Sequence, residues 1–129
     1  MSDVRTHHGI DPTLVGVPEH LEEGVARARL LTTPEMAADD RGLVHGGFIF
    51  GLADYAAMLA VNDPHVVLGG AEVRFTRPVT VQETVVAEAR VTEERGRKRV
   101  VEATVSRGED TVFRATFTCF VLDRHVLDG

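Results

Sequence analysis

The stretch that decides the fold is Gly46-Gly47-Phe48-Ile49-Phe50-Gly51-Leu52-Ala53-Asp54-Tyr55-Ala56-Ala57-Met58-Leu59-Ala60-Val61-Asn62. It is rich in Ala, Leu and Met, which favour helix. It is apolar nearly all round, and Asp54 is its one strongly ionisable group. A helix without a polar face has to be covered on every side. Asn62, Asp63 and Pro64 then stop it. What covers the helix must come from the rest of the chain.

After the helix the hydrophobic period changes from helical to two. In residues 66–77, Ala71, Val73 and Phe75 alternate with Glu72, Arg74 and Thr76. In 84–92, Val85, Ala87, Ala89 and Val91 share a face, and in 98–106 so do Val101, Ala103 and Val105. In 111–122, Phe113, Ala115, Phe117, Cys119 and Val121 stand against Arg114, Thr116 and Thr118. Such alternation predicts half-buried antiparallel strands. Glu94-Arg95-Gly96-Arg97 and Arg107-Gly108-Glu109-Asp110 read as hairpin turns. Before the helix, residues 24–33 predict a first strand, and residues 1–20 a loose lead-in with a short helical turn.

The expected order is one strand, one buried helix, then four strands in a meander, within a single 1–129 domain. This is an α+β architecture in which an antiparallel sheet of about five strands wraps one long helix, the hotdog fold. One such protomer leaves sheet edges open. Pairing of two protomers edge to edge would make a continuous sheet, so the expectation is a homodimer or a dimer of dimers.

Composition narrows the function. A net charge of -6 argues against a general nucleic-acid binder. The lone Cys119 excludes an internal disulfide. The six histidines show no paired ligand spacing, so no metal site is expected. Residues 1–9 lack the pattern of a secretory signal, and the apolar segment 46–61 is too short and too interrupted for a membrane span. Cytoplasmic residence follows as the default expectation.

The chemistry is expected in the string from His45 to Asp54. Gly46 and Gly47 open the helix, where backbone N–H groups have no intrahelical acceptor. Without side chains in the way, a substrate carbonyl oxygen could rest there, and the helix dipole would favour negative charge on it. That is what an oxyanion hole requires. Asp54 lies eight residues on, roughly 12 Å at about 1.5 Å per residue. It is too far to serve the N-terminus of its own helix. Antiparallel helices in a dimer would bring Asp54 of one chain to Gly46 of the other. Asp54 would then act as general base toward water, or as nucleophile forming an acyl-enzyme anhydride.

His45-Gly46-Gly47, then Leu52-Ala53-Asp54 and the Ala-rich helix, resemble the PaaI-type hotdog thioesterases of the phenylacetate pathway. Glu72-Val73-Arg74-Phe75-Thr76-Arg77-Pro78-Val79 is similar to the strand and turn that follow the helix in that family. The resemblance covers about residues 20–122. It implies hydrolysis of an acyl-CoA thioester without metal or organic cofactor. It implies that Gly46 donates its N–H to the thioester carbonyl, that Asp54 is the catalytic acid, and that His45 orients the substrate or its loop. The family places an amide about six residues before the His, where this chain has Asp39. Many members also carry a polar Ser or Thr that helps, whereas Met58 and Leu68 stand at the equivalent positions here. Coenzyme A would be met by Gly47, by Arg77, Pro78 and Val79, and by the hairpin Arg95, Gly96, Arg97 and Lys98. Two other readings remain: a module that binds acyl-CoA without hydrolysing it, and a hotdog dehydratase or hydratase, whose His–carboxylate pairing has a different spacing.

Overall fold

The computed structural model describes all 129 residues. A short helix α1 (Pro12–Val15) is followed by strands β1 (Val17–Glu22) and β2 (Val25–Leu31). A single 3₁₀ turn (Pro34–Met36) leads to helix α2 (Gly46–Val61). Then come β3 (Val66–Phe75), β4 (Thr84–Arg95), β5 (Lys98–Arg107) and β6 (Asp110–Val121), and a last 3₁₀ turn at Val126–Asp128. The six strands make one antiparallel sheet in the order β1-β2-β4-β5-β6-β3.

Helix α2 is covered as its composition requires. Ile49, Leu52, Ala53 and every residue from Tyr55 to Ala60 are buried. The covering surface uses small residues: Ala26, Ala28, Ala87, Ala89, Ala103 and Ala115 are buried on the sheet, and Ala53, Ala56, Ala57 and Ala60 on the helix. Alanine against alanine lets the helix axis lie close to the strands. Bulk comes from Phe113 and Phe117, both fully buried, each contributing about 2–3 kcal/mol of apolar burial. Asn62 ends the helix in a left-handed conformation (φ 53°), and its N–H donates to the Met58 carbonyl.

The structure corrects the expected arrangement in three places. First, the lead-in holds a strand. β1 pairs with β2 through Gly24, which takes φ +76°, so the sheet has six strands. The run Val17-Pro18-Glu19-His20 hides this strand because Pro18 interrupts the alternation; Pro18 sits on the edge strand, beside the irregularity between Pro18 and His20, where proline is tolerated.

Second, the four later strands do not form one meander. β4, β5 and β6 do, but β3 lies beyond β6. The link 76–83 carries the chain back to β2. It is pinned on the way: Val44 N–H donates to the Val79 carbonyl and Val81 N–H to the Gly42 carbonyl, while the Thr32 hydroxyl donates to the carbonyls of Thr80 and Glu83. Alternation along a strand says which face is inward and nothing about its neighbour.

Third, β3 is not half-buried. Residues 69–75 are all exposed, Val73 at 36% and Phe75 at 55%. Its pairing to β6 slips between Leu68 and Gly70, where Gly69 makes a bulge.

Candidate active site

His45 is the N-cap of α2, with extended backbone (φ -63°, ψ 130°) and no side-chain capping bond. Its N–H donates to the Met36 carbonyl and its carbonyl accepts from Phe48 N–H. The N–H groups of Gly46 and Gly47 between them have no backbone acceptor in the chain. Both glycines sit close under aromatic rings. A Cβ on Gly46 would lie 2.9 Å from the Phe75 ring, and one on Gly47 would lie 3.1 Å from the His45 ring. The His45 ring itself is edge-on to Phe48 at 6.1 Å. The helix thus starts with two free donors at the positive end of its dipole.

Gly46 shares a cavity of about 340 Å³ with Arg77, Pro78 and Val79, the segment expected to meet coenzyme A. Arg77 is exposed and stands 4.0 Å from Asp110. The Pro78 carbonyl accepts from Arg107, which fixes the turn. Val79 is buried and tied to Val44.

Asp54 is partly buried in the middle of α2. Desolvation by its apolar surroundings raises its pKa from 3.8 to about 6. Cys119 on β6 lies near enough that the carboxylate charge adds to burial in pushing the thiol up to about 12. A carboxyl that ionises near neutrality, without a fixed partner, can take a proton from water or attack a carbonyl.

The other expected residues lie elsewhere. Asp39 is exposed, and its Oδ1 accepts from the N–H groups of Arg41 and Leu43. It folds the loop that delivers His45. The hairpin Arg95–Lys98 is at the far end of the sheet. Phe75 pairs with Phe113, whereas Lys98 pairs with Phe120, seven residues further along β6. That is roughly 23 Å at about 3.3 Å per residue. Arg97 there pairs with Asp123, and Arg99 pairs with Glu94 and donates to the carbonyls of Gly96 and Lys98. One protomer therefore does not bring the hairpin to Gly46. No three His, Cys, Asp or Glu side chains cluster as metal ligands, and no helix is long and apolar enough to cross a membrane.

Sequence reasoning missed the place of Phe75 and the closeness of Cys119 to Asp54. In the sequence both are only members of strand faces. Each relationship depends on which strand lies beside which, so the alternation carries no signal for either.

Residues 41–113 match the 4HBT family model, described as the thioesterase superfamily. This chain belongs to that superfamily. Over 98% of both chains it superimposes on an uncharacterized protein, PH1136, from Pyrococcus horikoshii, with TM-score 0.97 and 54% identity. It is also similar to phenylacetic acid degradation protein PaaI from Thermus thermophilus, with TM-score 0.77 and 28% identity over 84% of this chain and 95% of that one. The resemblance to PaaI-like hotdog thioesterases therefore holds for family and fold. Among curated proteins it is 52% identical, over 94% of its length, to 27% of a methylthioribose-1-phosphate isomerase from Aquifex aeolicus. It is 34% identical, over 67% of its length, to 44% of the transcription factor FapR from Geobacillus. The chain thus spans about a quarter of the first of these relatives and less than half of the second.

Proposed function

We propose that this chain is an acyl-CoA thioesterase that cleaves a small, medium or aryl acyl-CoA to the free acid and coenzyme A. The observation that carries this reading is one helix holding both halves of the chemistry: free N–H groups at Gly46 and Gly47, and a desolvated carboxyl at Asp54. The thioester carbonyl oxygen would rest on Gly46 N–H, where the dipole favours the oxyanion. Asp54 would take the proton of an attacking water, or attack directly and be released by water. Neither route calls for a metal or an organic cofactor, and coenzyme A enters as part of the substrate. His45, over Gly47, would orient the thioester, and Asp39 would hold the loop that positions His45.

The site is shared across a homodimer in this reading, which also allows a dimer of dimers. β3 is a ten-residue edge strand exposed over most of its length, a surface that invites strand pairing. If two copies pair there antiparallel about a two-fold axis, the Leu68 end of one β3 meets the Phe75 end of the other. Leu68 is opposite Cys119, beside Asp54; Phe75 rests on Gly46. Such pairing moves Asp54 of one chain toward Gly46 of the other. It moves the Arg95–Lys98 hairpin the same way, toward the phosphates of a coenzyme A seated at Arg77. A cytoplasmic location fits that substrate and the lone buried thiol.

FapR is named a transcription factor and not an enzyme, which favours a second reading: a module that binds the same ester without turning it over. One assay separates the two. Thiol release is followed from acetyl-, hexanoyl-, phenylacetyl-, hydroxybenzoyl- and long-chain acyl-CoA, with wild type and Asp54→Asn. Hydrolysis that disappears in a still-dimeric Asp54→Asn supports the enzyme. Binding of the esters with no hydrolysis of any would leave the module.

A further inference from the structure

The face of the sheet turned away from α2 carries two adjacent rows of side chains that run across its strands. One row is Glu72, Thr116, Glu102 and Arg90, each opposite the next on β3, β6, β5 and β4. The other, two residues along each strand, is Arg74, Arg114, Thr104 and Glu88. All eight are exposed. None of the charged ones joins an ion pair within the protomer, whereas Arg27, Arg29, Arg99 and Arg107 all do. Arg74 and Arg114 stand directly opposite each other, a like-charge pair that costs stability while nothing covers it. Among these long side chains the short Thr104 and Thr116 leave a hollow of about 680 Å³.

We propose that this face binds a second copy of the chain, sheet upon sheet, about a two-fold axis that runs along the rows midway between them. Such an axis lays the first row of each copy over the second row of the other, strand upon like strand. Glu72 then meets Arg74 of the second copy, and Arg90 meets its Glu88. Thr116 meets its Arg114 and Thr104 its Glu102, so each short side chain faces a long one. Every contact occurs twice, and no like charges come face to face. Twisted sheets stack about 10 Å apart with their strands aligned to within about 30°, a gap that Arg and Glu bridge from both sides. The two rows hold three glutamates and three arginines, so this face is neutral on a chain of net charge -6, and two copies are not repelled there. A nucleic acid or an anionic membrane would meet glutamate as often as arginine. The contact does not depend on the thioesterase reading. It leaves the β3 edge free, so together with edge pairing it joins four chains.

The test is sedimentation velocity of wild type, Glu88→Arg, Arg90→Glu and the double variant that carries both changes, over a range of protein and salt concentrations. These two positions lie on β4, which β5 and β6 separate from the β3 edge, so the edge contact is left alone. Each single reversal turns two attractions into two repulsions and should weaken the face contact at least about tenfold. The double variant exchanges the charges of the two rows and should recover the wild-type mass. Salt should weaken the wild-type contact, because the pairs are screened. A fall from four chains to two in each single variant, reversed in the double, upholds the face and leaves the β3 edge as the remaining contact. A fall from two chains to one, reversed in the same way, upholds the face and removes the edge-paired dimer. A mass that neither single reversal changes overturns the proposal. So does a double variant that stays dissociated, or a wild type that is a monomer at every concentration.

Discussion

Asp54 of α2 lies close enough to Cys119 of β6 that its carboxylate charge adds to burial in raising the thiol pKa to about 12. Both groups sit where their charged forms are poorly solvated, and two like charges there would be worse still. The thiol therefore stays protonated, and thiolate is the reactive form. The sole cysteine should be inert in the folded protein. Labelling with a thiol-specific disulfide reagent at pH 8 should give almost no reaction on a minutes timescale, then one equivalent on unfolding in denaturant. Prompt reaction of the native protein would mean that β6 opens or that the pair is better solvated than the fold shows.

The same desolvation makes Asp54 a burden on stability. Its folded pKa, about 6, lies above the unfolded 3.8, so the folded state binds more protons between those values. Stability from this group is greatest at low pH and falls as pH rises through that window. The two-unit shift is worth at most about 3 kcal/mol, and less because the carboxyl retains some solvent. Asp54→Asn should melt several degrees above wild type at pH 7.5, and the gap should close by pH 4. A gap of the same size at both pH values would trace the gain to shape and not to charge. The hydrolysis proposed for this site should fall with a single ionisation below about pH 6, because only the carboxylate can accept a proton.

The helix is legible in the sequence because the run from Gly46 to Val61 has no polar face. β4, β5 and β6 are legible because Val85-Ala87-Ala89, Val101-Ala103-Val105 and Phe113-Phe117-Cys119 alternate without interruption and meet at Gly96 and Gly108. Pairing partners leave no such trace. β3 alternates like the others, yet its outer position exposes residues 69–75 in the protomer. His45, Gly46, Gly47 and Asp54 are readable as one motif because a single helix sets their spacing. Phe75 and the opposite placement of the 95–98 hairpin come from tertiary pairing, which no local pattern encodes.

Thr32 is where that pairing is enforced. It is fully buried, and its hydroxyl faces two carbonyls, those of Thr80 and Glu83, at 3.1 and 2.7 Å. Thr32→Val keeps the shape and leaves both acceptors without this donor, at a cost of about 1–3 kcal/mol. The urea midpoint should fall with an unchanged slope. The loop before α2 is tied to the same link through Val44 and Val81, so affinity for acyl-CoA should fall as well. An unchanged midpoint would show that solvent replaces the bond and that the link needs no anchor.

The shared site makes its own prediction. If each site takes Gly46 from one chain and Asp54 from the other, chains carrying only Gly46→Ala and chains carrying only Asp54→Asn form inactive homodimers for different reasons. Gly46→Ala drives a Cβ into the Phe75 ring at the helix start; Asp54→Asn removes the base. A mixed dimer holds one site with both defects and one with neither. Denaturing the two variants together and refolding them should restore about a quarter of the wild-type rate, because half of the randomly formed pairs are mixed and each has one intact site. Each variant refolded alone should stay inactive. If both residues of a site came from the same chain, every site in the mixture would carry a defect and no activity would return.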